Sequence, residues 1–170
     1  LFCKLDNDTN NSNELLLSSS ISFDRGVSGG IRTNIFLDSS FVNIRGYRLN
    51  IDSSYASVAK REFSFRDFII HNEGQSLTID GTLSENPEDS IHVYFDKFDI
   101  SLADAFLKKK IGIEGELTGN ILATGIYGTP NILMDVNGSG ISLKSRTVGN
   151  LHIMSKWDQN RSRMNLLLQN

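Results

Sequence analysis

From Ser76 onward, hydrophobic and polar residues alternate with period two. The segment Ser76–Leu83 sets Leu77, Ile79 and Leu83 on one side of an extended chain and Ser76, Thr78, Asp80 and Thr82 on the other. Ser90–Asp96 repeats the pattern, with Ile91, Val93 and Phe95 against His92, Tyr94 and Asp96. Asn131–Asn137 groups Ile132, Met134 and Val136, and Gly140–Lys144 adds Ile141 and Leu143. Leu151 and Ile153 flank His152, and Met164, Leu166 and Leu168 form a last face. Alternation of this kind predicts half-buried antiparallel strands with one apolar and one wet side.

The N-terminal part, residues 1–62 and the strand that follows, is less regular. Ile31, Ile35 and Leu37, then Tyr47, Leu49 and Ile51, then Phe63, Phe65, Phe68 and Ile70 predict further strands, punctuated by Gly26, Gly29, Gly30 and Gly46. One short helix is predicted near residues 101–109. Ser101 and Asp104 resemble a capping box, Leu102 and Phe106 share a face that Ala103 and Leu107 widen, and Lys108, Lys109 and Lys110 complement the negative end of the helix dipole. Such a helix reads as an amphipathic plug over one end of the sheet. The tripeptides Gly81-Thr82-Leu83, Gly115-Glu116-Leu117 and Gly149-Asn150-Leu151 start at intervals of 34 residues. That regular spacing suggests strand-start punctuation in an array larger than this segment.

Composition narrows the function classes. The net charge of −3 and the scattered seventeen Lys and Arg argue against nucleic acid as a partner, which requires a clustered positive surface. No apolar run approaches the roughly 18–20 residues that a spanning helix needs. No signal peptide is recognisable after Leu1, so the chain is expected to be one β-rich segment, residues 1–170, of a longer protein. The single cysteine, Cys3, rules out an internal disulfide.

A search for chemistry yields little. The Asp-x-Asp-x-Asn opening of the polar stretch from Asp6 suggests a calcium loop, but Asn11 and Leu17 stand where a turn Gly and a bidentate Glu are needed. His71, His92 and His152 have no partner at a metal-ligand spacing, so no metal or other cofactor is expected. The stretch from Gly112 to Gly119 lacks the Lys-Ser/Thr of a phosphate loop, and no Gly-x-Ser-x-Gly elbow occurs. Glu114 and Glu116 lie on one side of a strand without the burial that acid/base work requires. The expectation is a non-enzymatic protein without catalytic residues.

What remains is the apolar stripe. Two architectures accommodate it: a closed β-sandwich, whose sheets bury their inner faces on each other, and an open sheet whose inner face is a groove for apolar cargo. The alternation alone favours the sandwich. A sandwich acting as an interaction or carbohydrate-binding module would draw on Tyr47, Tyr55, Tyr94, Tyr127 and Trp157.

The run from Gly115 to Ile132, GELTGNILATGIYGTPNI, resembles the TamB family within the broader AsmA-like group. The shared features are a Gly-x-Leu-x-Gly start, a later Gly, and a Pro before the next strand. Ser76–Ser84, Asp89–Phe98 and the short helix before Gly115 follow the same order, so the resemblance covers roughly residues 63–170. It implies an all-β fold with one short helix, an elongated antiparallel, taco-like structure with an apolar interior groove. It further implies a periplasmic location, in a protein anchored in the inner membrane by a segment not in this sequence. The implied partner is an outer-membrane Omp85-type barrel (TamA-like or BamA-like), and the implied cargo is phospholipid or unfolded outer-membrane protein. The residues expected to line the groove are Leu77, Ile79, Leu83, Ile91, Val93, Phe95, Leu117, Ile121, Ile132, Met134, Val136, Ile141, Leu143, Leu151, Ile153, Met164, Leu166 and Leu168.

Overall fold

The period-two segments form strands throughout. A computed structural model describes residues 2–4, 14–25, 30–44, 47–105, 111–158 and 163–169. The strands are β1 (Phe2–Lys4), β2 (Glu14–Leu16), β3 (Ser19–Arg25), β4 (Ile31–Leu37), β5 (Ser40–Ile44), β6 (Tyr47–Ile51) and β7 (Ser54–Ala59). They continue with β8 (Glu62–Asn72), β9 (Gln75–Leu83), β10 (Ser90–Asp99), β11 (Ile113–Thr124), β12 (Asn131–Leu143), β13 (Arg146–Asp158) and β14 (Arg163–Gln169). All fourteen belong to one antiparallel sheet whose path runs from β1 to β14 without closing. The all-β, elongated architecture expected from the sequence is therefore what forms. The described strands make one sheet, not the two facing sheets of a sandwich.

From β8 to β14 the sheet is a simple up-and-down meander. The N-terminal strands look branched but follow the same logic. β4 pairs with β7 and β5 with β6, while β6 and β7 share one edge of β8. β4 and β5 are together one long strand interrupted at Asp38-Ser39, and β6 and β7 another interrupted at Asp52-Ser53. The interruptions recur in the sequence as Leu37-Asp-Ser-Ser-Phe41 and Ile51-Asp-Ser-Ser-Tyr55, and Asp67 occupies the equivalent level of β8 with φ 54°. Short Asp and Ser side chains satisfy the backbone where a ladder breaks. The Ser40 hydroxyl donates to the Asp38 carbonyl (2.8 Å) and accepts from the Ser18 amide (3.1 Å), and the Ser18 hydroxyl donates to Asp38 Oδ2 (3.0 Å). The Asp67 amide donates to Asp80 Oδ1 (3.3 Å).

The interruption has a consequence for side-chain direction. One extra residue in a strand switches its parity and returns the next apolar residue to the same face. The Phe65/Phe68 register shift in β8 is such a bulge, and so is Phe95/Phe98 in β10. Each brings two phenyl rings together on one side, with centroids 5.9 and 6.4 Å apart. The departure from strict alternation at Phe63, Phe65, Phe68 and Ile70 thereby becomes regular.

Two local expectations are corrected. The predicted helix near 101–109 is a short 3-10 helix, Ile100–Ala105, and residues 106–110 lie outside the described residues. Its cap is Asp99 rather than Ser101: Asp99 Oδ1 accepts from the Ser101 amide (2.8 Å), and the Asp99 amide donates to Gln75 Oε1 (2.7 Å). The Gly-x-Leu tripeptides do not start strands. Gly81, Gly115 and Gly149 lie inside β9, β11 and β13 with φ of 117°, 123° and 101°, at or beside register shifts. At Gly81 a Cβ would overlap the Ser90 carbonyl oxygen, and at Gly119, with φ 143°, that of Asp135. Only glycine permits that close approach.

The most tightly packed part sits at one end. Val42 and Leu49, on β5 and β6, bury against Leu102 of the 3-10 helix, with Leu15, Ile70 and Phe98 around them. β6 and β10 are three strand positions apart, about 14 Å in a flat sheet at ~4.8 Å per strand. The residues from Asp99 to Leu102 rise only about 2 Å each in this conformation. The sheet therefore curls toward this face, and Leu102 closes the curl.

Candidate functional site

Residues directly opposite in an antiparallel pair point to the same face, so register alone assigns the sides of this sheet. One row runs from β5 to β14 through Ser40, Ile51, Ile70, Leu77, Phe95, Gly119, Val136, Ile153 and Leu168. A second crosses from β3 to β12 through Ile21, Ile35, Ala56, Phe65, Gly81, Ile91, Ala123 and Ile132. Between them, Phe68, Ile79, Val93, Ile121, Met134, Ser155 and Leu166 form a third. The single polar side chain in this third row, Ser155, is buried and donates to the Ile132 carbonyl (3.1 Å).

The expected groove residues fall on this face. Leu117 opposes Phe98 and Gly138, Leu151 opposes Gly138, and Leu83 opposes Phe63. Ile141 and Leu143 return to it after the bulge in β12. Met164, Leu166 and Leu168 are placed by backbone register, and their side chains lie outside the described residues. Of the others, Val136 and Ile141 are buried, Leu143 is exposed, and the remainder are half-buried. Half-burial is what neighbours within one sheet layer provide when no second layer covers them.

Toward β3 the same face becomes more open. Phe23 opposes Thr33, which opposes Val58, which opposes Phe63. Phe23 and Ile31 are 70% and 72% exposed, and Ile21, Val58 and Phe63 are exposed as well. A contiguous apolar area of this kind on one face marks a surface made for contact.

The other face is mixed: its polar residues alternate with apolar pairs, Leu122 opposite Leu133 and Met154 opposite Leu167, and with Leu16 and Phe36 toward the N-terminal strands. His152 Nε2 lies 2.7 Å from Asp135 Oδ1, and His71 Nε2 lies 3.0 Å from Asp52 Oδ1. His92 stacks beside Tyr94, with ring centroids 6.0 Å apart. The three histidines thus engage cross-strand or same-strand neighbours singly. Among the described residues no group of three or more His, Cys, Asp or Glu gathers as metal ligands. Tyr47, Tyr55, Tyr94 and Tyr127 do not converge: Tyr55 donates to Asn34 Oδ1 (2.7 Å), and Tyr127 lies under the Arg61 guanidinium (5.2 Å). The Trp157 side chain and residues 5–13, which include most of the calcium-like stretch, lie outside the described residues.

The larger concavities are polar and separate from the apolar rows. A cleft of ≈ 500 Å³ is lined by residues including Tyr47, Gln75, Lys97, Asp99, Glu114 and Glu116. Glu114 and Glu116 are both exposed there, and Glu114 accepts from the Ser142 hydroxyl (3.0 Å). A polar recess at a strand-end turn is ordinary surface relief, whereas an apolar face crossing ten strand positions is not. We therefore take the face as the candidate site.

Sequence reasoning missed the contribution of β3, β4 and β7 to this face. Ile21, Phe23, Val58 and Ala56 extend the apolar rows by three strands. The repeated Asp-Ser-Ser was the available signal, because it marks where parity switches. No family model, curated protein or solved structure matches this chain.

Proposed function

We propose that this chain is a periplasmic segment of a TamB-like envelope-biogenesis protein. In that role its apolar face shields cargo, phospholipid acyl chains or outer-membrane protein strands, on the way between the inner and outer membranes. Its working partner would be an Omp85-type barrel in the outer membrane, TamA-like or BamA-like. The observation that carries this reading is the unbroken set of apolar rows, half-exposed across β8–β13, on a sheet that does not close. The Gly/Pro pattern of Gly115–Ile132 supports it from the sequence side.

The physics suits the task. Apolar surface attracts alkyl chains at about 0.8 kcal/mol per buried methylene and without directionality. Cargo can then move from row to row without breaking a specific bond at any step.

The test is photo-crosslinking in cells from residues substituted at Val93 and Met134, compared with His92 and Asp135. Lipid or client-protein adducts from Val93 and Met134 alone are expected. Adducts restricted to this chain from the apolar positions, or equal adducts from both sets, would refute the reading.

A further inference from the structure

The apolar face is not covered evenly, and the exception is its own connector. From β9 to β13 most inner side chains are half-buried, yet Val42 and Leu49 on the same face are 3% and 1% exposed. The difference is Leu102, itself 3% exposed, which the 3-10 helix sets down on β5 and β6. Ile70 and Phe98 border it, so Leu102 lies in line with the row through Ile51, Ile70, Leu77 and Phe95.

We propose that the Ile100–Ala105 turn is a displaceable stopper, which makes the β5–β6 end of the trough blind until an alkyl chain takes the place of Leu102. This rests on the trough reading above and adds its regulation. Three features argue for it. The cluster that Leu102 joins consists of Val42 and Leu49, with Leu15, Ile70 and Phe98 packed against it, all apolar, so an alkyl chain can take its place without leaving a polar group unpaired. The turn is tied at its start by two hydrogen bonds through Asp99 and lies beside β11, both away from Val42 and Leu49, so Leu102 can lift while its anchor stays. An alkyl chain is also the fitting competitor. A polypeptide strand laid on this face would bury N–H and C=O groups against side chains, whereas strands are accepted at sheet edges.

The experiment maps where a photoreactive, diazirine-bearing palmitic acid labels the protein. In the unaltered chain at sub-saturating probe, adducts are expected on the inner residues of β9–β12 first, and on Val42 and Leu49 only as the probe approaches saturation. With Leu102→Ala, adducts on β5 and β6 should rise severalfold while those on β9–β12 persist; with Leu102→Met, which keeps the stopper, the unaltered pattern should return. Unchanged labelling of β5 and β6 in Leu102→Ala, alongside normal labelling of β9–β12, overturns the stopper. Equal labelling of both regions in the unaltered chain at sub-saturating probe overturns it too. Absence of adducts on every inner strand refutes the trough reading instead. Should Leu102→Ala unfold, the unaltered protein still decides. Cross-relaxation between Leu102 and Leu49 methyl groups should disappear under saturating palmitic acid, and its persistence at saturation contradicts the proposal.

Discussion

The two ends of the inner face have the same sequence grammar and different fates. Leu49 and Ile51 alternate as Leu77 and Ile79 do, yet the first pair is buried and the second is half-exposed. Nothing in either segment makes that difference. For Leu49 it comes from Leu102 of the Ile100–Ala105 turn, far away in sequence, which packs against it and not against Leu77 or Ile79. Alternation thus specifies which side chains share a face, and a connector elsewhere in the chain decides whether that face is covered.

The largest expected effect contrasts these regions directly. Leu49→Ala should cost about 2–5 kcal/mol, the range for truncating a fully packed leucine. Ile79→Ala should cost about 1–2 kcal/mol, because much of the side chain already meets solvent. Urea denaturation of both variants measures the gap, and equal losses would mean that the open face is packed as tightly as the stopper end.

The next effect concerns the backbone that keeps the rows in line. Gly119→Ala should destabilise by about 1–3 kcal/mol through its positive φ, with added overlap against the Asp135 carbonyl. Gly74→Ala meets nothing within 4 Å and should stay within about 0.5 kcal/mol. Thermal melts of the pair read the contrast. A mild Gly119→Ala would mean that the strand there has room to untwist.

Smaller still on stability, yet decisive for function, is a polar change on the open face. Val93→Thr should shift stability by no more than about 1 kcal/mol and weaken binding of a fluorescent fatty acid. Asp135→Asn, on the other face, removes a surface pair with His152 and should change stability by about 0–1 kcal/mol. Fatty-acid titrations of that variant should match those of the unaltered chain. Equal losses of binding in both variants would erase the distinction between the two faces.

Much of this architecture was legible. The strands around Leu77, Val93, Met134 and Ile153 follow from period two, because one buried face imposes it. The parity switches were harder. Asp67 and Lys97 sit at positive φ inside bulges, and a bulge is a backbone event that the hydrophobic pattern registers only as a stutter, Phe65-x-x-Phe68 or Phe95-x-x-Phe98. Asp and Ser favour loops, yet the Asp-Ser-Ser repeats carry long strands across a crease. β3 escaped notice since it opens on Ser19-Ser20 and carries only two large apolar residues, Ile21 and Phe23, both exposed. The Gly-x-Leu spacing was visible, but its meaning lay in backbone twist inside strands, which required φ values to see.

The central claim is that the inner face of β9–β12 is an accessible apolar surface. A bimane fluorophore placed at Met134 or at Asp135, each in a Cys3→Ser background, tests it during titration with palmitic acid. The account predicts a saturable blue shift at Met134 and none at Asp135. A silent Met134 probe, or equal shifts at both positions, would contradict it.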